Sequence, residues 1–181
     1  SDYIAGDQVE ELEKELAEYV GVKNCVSCGN GTDALVLALK AWGIGAGDAV
    51  FVPDHTFFSS AESVAFVGAT PVFADVHEDT FNVDVESMER CIQAVIKEGK
   101  LKPKAMVVVD LFGLPADYDK VLALAEKYGF YVLEAPIMER KPVHSDILQP
   151  PPSSRRSRWA AMEMAVPSSL TMMNGQHCFV L

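Results

Sequence analysis

Through residue 134 the chain alternates short, continuous apolar runs with segments of helical period, and few folds accept that alternation. The apolar runs fall at 22–28, 49–52, 71–75, 105–110 and 130–134. Between them, 34–42, 56–67, 85–97 and 117–128 read as helices. Residues 7–20 form an amphipathic helix ahead of the first run, with Val9, Leu12, Leu16 and Tyr19 on one face. A strand that is apolar throughout belongs in a parallel sheet covered on both sides. The expected class is therefore α/β, a mostly parallel sheet sandwiched by helices. Right-handed crossovers bring the strand C-termini to one edge, where such sheets bind ligands. Segments 29–32, 53–58, 75–77, 110–113 and the residues from Glu134 onward would meet there.

The first strand-to-helix junction carries the strongest chemical signal. The run ending at Cys28 gives way to Gly29-Asn-Gly-Thr32, and helical spacing begins at once with Ala34, Leu35, Leu37, Ala38 and Leu39. A small polar turn opening a helix presents backbone N–H groups and the positive end of the helix dipole, a favourable place for phosphate. Thr32 or Asp33 is expected to cap this helix. An ordinary capped connection has the same local pattern, so the turn alone leaves both readings open.

Composition narrows the field. The chain has 181 residues and is 49% hydrophobic, enough for one domain with a core. A net charge of −11 argues against nucleic acid as a partner. No apolar run has the length of a membrane span, and no signal peptide is evident. The four cysteines lack the spacing of a disulfide framework, which fits a cytoplasmic location. Cys25 and Cys28 form a C-x-x-C pair, but a zinc site needs a second pair of ligands at suitable spacing. A redox pair sits at a helix start, whereas both of these cysteines are expected within the strand, as core residues.

After Glu134 the character changes. Residues 135–181 hold six of the ten prolines, five of the seven methionines and one of the twelve glycines. Residues 1–134 carry 10 basic against 23 acidic side chains, and residues 135–181 carry 5 against 3. Pro150-Pro-Pro-Ser-Ser-Arg-Arg-Ser-Arg158 has no core-forming pattern, so an irregular tail is expected.

Several phrases in residues 1–134 together resemble the sugar aminotransferases of the DegT/DnrJ/StrS type. They are Gln8-Val-Glu-Glu-Leu-Glu, Gly29-Asn-Gly-Thr-Asp-Ala-Leu35, Gly47-Asp-Ala-Val-Phe-Val-Pro53, Thr56-Phe-Phe-Ser-Ser60, Val67-Gly-Ala-Thr-Pro-Val-Phe73, Asp79-Thr-Phe-Asn82 and Asp110-Leu-Phe-Gly-Leu-Pro-Ala-Asp117. The resemblance implies the large domain of a fold-type-I enzyme using pyridoxal 5'-phosphate (PLP). It implies transfer of an amino group from an amino-acid donor, usually glutamate, to a nucleotide-linked keto sugar. It also implies a homodimer. Gly31 and Thr32 would then bind the cofactor phosphate, and Phe57 would stack on the pyridine ring. His55 is either a substrate-pocket residue or a solvated loop histidine. Asp110 is either a site residue or a strand-end carboxylate with a structural partner. Glu134 matches the glutamate that ends the family's strand just before the cofactor aspartate.

There the match stops. The family continues with aspartate, two small residues and Gln or His, where this chain has Ala135-Pro-Ile-Met138. The aspartate keeps the pyridine nitrogen protonated. The family's cofactor-attaching lysine, further on, has no counterpart, because no lysine follows Lys141 and Lys141 is too close to Glu134. The resemblance thus implies a partial large domain over 1–134 and a non-family tail over 135–181, poorly structured. A fragment that binds phosphate or PLP without covalent attachment, and without catalysis, is the alternative reading.

A shifted reading frame after about Glu134 would account for the break. Joining the third base of each codon to the first two of the next forces glycine at Trp159–Ala160, Met162–Glu163 and Met164–Ala165. It forces aspartate at Met172–Met173 and glutamate at Met173–Asn174. A permitted reading of this stretch contains Phe-Phe-Pro-Ala-Lys-Ser-Leu-Gly, its lysine encoded across Arg156 and Ser157, and resembles the family segment around the missing lysine.

Overall fold

A computed structural model describes residues 6–20, 23–137 and 178–180. Its element order is α1 (Asp7–Val20), β1 (Asn24–Val26), α2 (Gly31–Ala41), β2 (Asp48–Pro53), α3 (Ser59–Phe66), β3 (Thr70–Ala74), α4 (Val85–Glu98), β4 (Lys102–Leu111), α5 (Tyr118–Tyr128), β5 (Tyr131–Ile137) and β6 (Cys178–Val180). Four strands form one sheet in the order β3-β2-β4-β5, with every pairing parallel. The α/β expectation holds.

The two faces of the sheet follow from the alternation of side chains along each strand. Ala49 and Phe51 of β2, Met106 and Val108 of β4 and Val132 of β5 pack with Met88, Ile92, Val121 and Leu124 beneath α4 and α5. Val50 and Val52, Val107 and Val109, Leu133 and Ala135 turn the other way, against Leu35, Leu39 and Val64 of α2 and α3. Burying both sets removes the interior of the sheet from water, and that is why β2 and β4 read as unbroken apolar runs. The helices on the first face have well-defined ends. Asp84 and Asp117 cap α4 and α5 by accepting from the N–H groups of Glu86 and Lys120, and Gly99 and Gly129 end them at φ of 70° and 71°. A left-handed residue at a helix end is one that glycine adopts without a Cβ clash.

Three details differ from the sequence expectation. β1 does not join the four-stranded sheet; it pairs in parallel with β6. β3 is an edge strand, and Phe73 on it is 53% exposed, so it lacks the two-sided cover that β2 and β4 enjoy. β5 runs to Ile137, past the expected boundary at Glu134, because Val109, Asp110 and Leu111 of the long β4 offer partners to residues 135, 136 and 137. The expectation of a poorly structured tail lies otherwise outside the described residues, except that Cys178–Val180 is a strand.

Candidate functional site

The glycine turn is held from both sides. The Ser27 N–H and hydroxyl both donate to Glu13 Oε1, at 2.6 and 2.7 Å, tying the end of β1 to α1. The Cys28 thiol donates to the Asn30 carbonyl at 3.1 Å. Cys28 therefore stands in the turn, past the end of β1, while Cys25 is buried in the strand. Burial pushes the Cys28 thiol above its usual range, and the Asn30 carbonyl contact opposes this.

The cap of α2 is Asn30, not Thr32 or Asp33. Its Oδ1 accepts from the Asp33 N–H and its Nδ2 donates to Asp33 Oδ2, both at 2.9 Å. Capping requires an extended residue before the first helical one, and Asn30 has that backbone, with φ −171° and ψ 173°. Gly31 and Thr32 are then the first two residues of the helix. The third N–H is taken by the cap, and the open end of the helix carries Thr32 with its N–H and hydroxyl. This geometry suits an anion held by backbone groups and one hydroxyl.

Phe57 lies in the loop after β2, two residues ahead of α3. Its carbonyl accepts from the Ser60 N–H at 3.0 Å, while its side chain is 63% exposed. An exposed aromatic face at a strand C-terminus is available for stacking on a planar ring. α2 and α3 pack together on the same face of the sheet, which brings the turn and the Phe57 loop to one side of the molecule.

The sheet edge also holds features without a sequence signal. His55 lies against Phe81, with ring centroids 5.2 Å apart, and Phe81 meets Phe112 edge-on at 5.9 Å. His55 is thus part of an aromatic cluster. Phe81 and Phe112 have positive φ, 59° and 57°. Such backbone is uncommon for a bulky residue and persists only where the surroundings over-determine it. Here Asn82, 6% exposed, donates through Nδ2 to the Leu114 and Pro115 carbonyls, each at 3.0 Å, and locks the two loops together.

Asp110 has structural partners. Its Oδ1 accepts from the Ala116 N–H and from the Tyr118 hydroxyl, both at 2.9 Å. Glu134, 7% exposed, is buried on the neighbouring strand, and its charge acts on Tyr118. Burial pushes the Asp110 carboxyl up, against the lowering influence of its hydrogen bonds. Burial, then the charges of Glu134 and Asp110, push the Tyr118 phenol well above its usual range.

The parallel α/β fold is shared with solved aminotransferases. An aminotransferase structure from Brucella abortus superposes with a TM-score of 0.71 at 54% identity, over 73% of this chain and 35% of that one. The Bacillus subtilis protein NtdA, solved with bound cofactor PMP, superposes with a TM-score of 0.66 at 28% identity, over 72% of this chain and 28% of that one. The family model of the DegT/DnrJ/EryC1/StrS aminotransferases matches residues 1–135, and the chain belongs to that family. A UDP-2-acetamido-2-deoxy-3-oxo-D-glucuronate aminotransferase of Pseudomonas aeruginosa is 44% identical over 132 residues, 73% of this chain and 35% of the relative. The chain spans about a third of the length of the curated relatives it matches. Among the described residues, no helix is long and apolar enough to cross a membrane.

Proposed function

We propose that residues 1–134 are part of the large domain of a PLP-dependent sugar aminotransferase. The whole enzyme would move an amino group from an amino acid, usually glutamate, to the keto carbon of a nucleotide-linked sugar. It would act as a homodimer in the cytoplasm. The observation that carries this reading is the Asn30-capped start of α2. Gly31 and Thr32 would hold the cofactor phosphate, and Phe57 would cover one face of the ring. When bound, PLP supplies an electron sink for the carbon bearing the amino group.

The fit of the residues present to the cofactor is incomplete. The position that the resemblance gives to the ring-nitrogen aspartate holds Ala135. This residue is 4% exposed and packed with Val109 and Leu133 on the face that α2 and α3 cover. No carboxylate at that position can pair with a ring nitrogen, and no lysine follows Lys141. This polypeptide is therefore a binding fragment, able to hold phosphate or PLP without covalent attachment and without turnover. Residues 135–181 are a non-family tail read in a shifted frame. The end of the family match at residue 135, the change in composition and the forced codons support this.

Two measurements test the reading. Incubation of the full chain with PLP and borohydride, followed by peptide mass analysis, is expected to leave no single lysine specifically modified. Stoichiometric fixation on one lysine would overturn the fragment assignment. Sequencing the coding DNA is expected to reveal a frame change near codon 134, and an intact frame through Leu181 would remove the shifted-frame reading.

A further inference from the structure

We propose that Glu13 is a positioning residue for the anion cradle at the start of α2. Through Ser27 it holds the Gly29–Thr32 turn in the placement that admits phosphate, so the docking of α1 and the binding of the anion support one another. The inference rests on reading the start of α2 as an anion site.

The place of Glu13 on its helix is the first observation. Glu10, Glu11, Glu15 and Glu18 of α1 are exposed, whereas Glu13 is half-buried. It shares a side of the helix with Leu16 and Ala17, three and four residues further on, and both of these are buried. A polar group turned toward the interior needs hydrogen-bond partners in place of water. Ser27 supplies two, from its N–H and its hydroxyl, both to Oε1. Lengths of 2.6 and 2.7 Å put both among the short, charge-assisted bonds.

What Ser27 carries is the second observation. It is the first residue after β1, and β1 stands outside the four-stranded sheet, paired with β6. α2, by contrast, is fixed on that sheet through Leu35 and Leu39. The turn thus has the core on its α2 side and α1 on its Ser27 side. Contacts run between the two. The Cys28 thiol donates to the Asn30 carbonyl, and Asn30 holds Asp33 in the first turn of α2. Gly29 lies close to that same helical turn, since a Cβ there would stand 3.1 Å from Asp33 Oδ2. A shift of Ser27 is therefore passed to the residues that cap and open the helix, Thr32 among them.

Charge cannot be what Glu13 gives the cradle. A carboxylate near an anion site opposes phosphate. Its contribution comes through the two bonds it accepts, and the two accounts differ in sign.

The test is titration of the full chain with inorganic phosphate, followed by NMR at the Thr32 amide. Glu13→Ala should weaken phosphate about fivefold, the size of one net hydrogen bond. Glu13→Gln keeps an oxygen acceptor for both Ser27 donors and should bind within about twofold of the parent. A pure charge effect would instead tighten binding in both variants. A second measurement needs no variant and decides the matter if Glu13→Ala does not fold. Coupling is reciprocal, so saturating phosphate should slow hydrogen exchange at the Ser27 amide of the parent about fivefold. A merely structural bond between α1 and β1 would not respond to phosphate. The Gly99 amide, bonded to the Val95 carbonyl at the end of α4, is the control and should not change. Phosphate binding that Glu13→Ala leaves intact or tightens, an equal loss in Glu13→Gln, or a Ser27 amide indifferent to bound phosphate would overturn the proposal. No phosphate response at Thr32 in the parent would remove the anion-site reading itself, and the proposal with it.

Discussion

The start of α2 and the end of β5 are two halves of one expected cofactor site, and they differ in what they need. The first half is backbone. Asn30 caps the helix, Gly31 and Thr32 open it, and the anion-binding property comes from the helix itself. The second half depends on single side chains, and at 135 a methyl group stands where the chemistry needs a carboxylate. A change of one residue leaves a helix start nearly as it was but removes a proton-holding group completely. On the proposed reading, the helix start lies before the break in the family match and the strand end lies at it.

The largest expected effect comes from forcing the second half to be what the family has. Ala135→Asp places a carboxylate against Val109 and Leu133 in a packed apolar layer. No partner for it is present among the described residues, and an uncompensated buried charge costs about 3–5 kcal/mol. Urea unfolding should show a loss of that order. A variant as stable as the parent would mean that the end of β5 opens to water, and the contrast between the two halves would then be wrong.

A smaller effect is expected from the first half's own support. Asn30→Ala removes the acceptor for the Asp33 N–H and the donor to Asp33 Oδ2. Loss of a helix cap costs about 1 kcal/mol. The unfolding midpoint should drop accordingly, and phosphate binding should weaken as the first turn frays. An unchanged midpoint would show that Asn30 is not what defines the start of α2.

Much of this was legible before any coordinates. The alternation of apolar runs and helical segments indicated the parallel sheet, and the bounds of α1, α4 and α5 lie within a residue of expectation. Helix periodicity is strong where one face is buried and capping residues sit at the ends, as Asp84 and Asp117 do. The misses have a common cause. Asn30, Thr32 and Asp33 are all chemically able to cap, and only the backbone angle selects Asn30. The detachment of β1 from the main sheet and the exposure of Phe73 depend on which strands end up neighbours, and a local pattern carries no such information. The Asp110–Tyr118–Glu134 cluster spans two strands and a helix, so its members look like an ordinary strand end, helix start and strand end when read singly. Positive φ at Phe81 and Phe112 had no residue-level signal, because phenylalanine is a poor predictor of that conformation.

The smallest expected change in stability is also the most discriminating. Thr32→Ala deletes one hydroxyl at a half-buried position and touches neither the cap nor the core. Stability should move by less than about 0.5 kcal/mol. Inorganic phosphate and PLP, titrated separately by calorimetry, should both bind more weakly, by about tenfold if the hydroxyl donates to a charged oxygen. Residual binding should survive, because the backbone N–H and the helix dipole are unaffected. Complete loss would move the first half into the same category as the second, a site resting on one side chain. No loss at all would leave the helix start as a plain strand–helix connection. Between these outcomes, a partial loss at constant stability is the signature of a cradle made by the backbone and trimmed by Thr32.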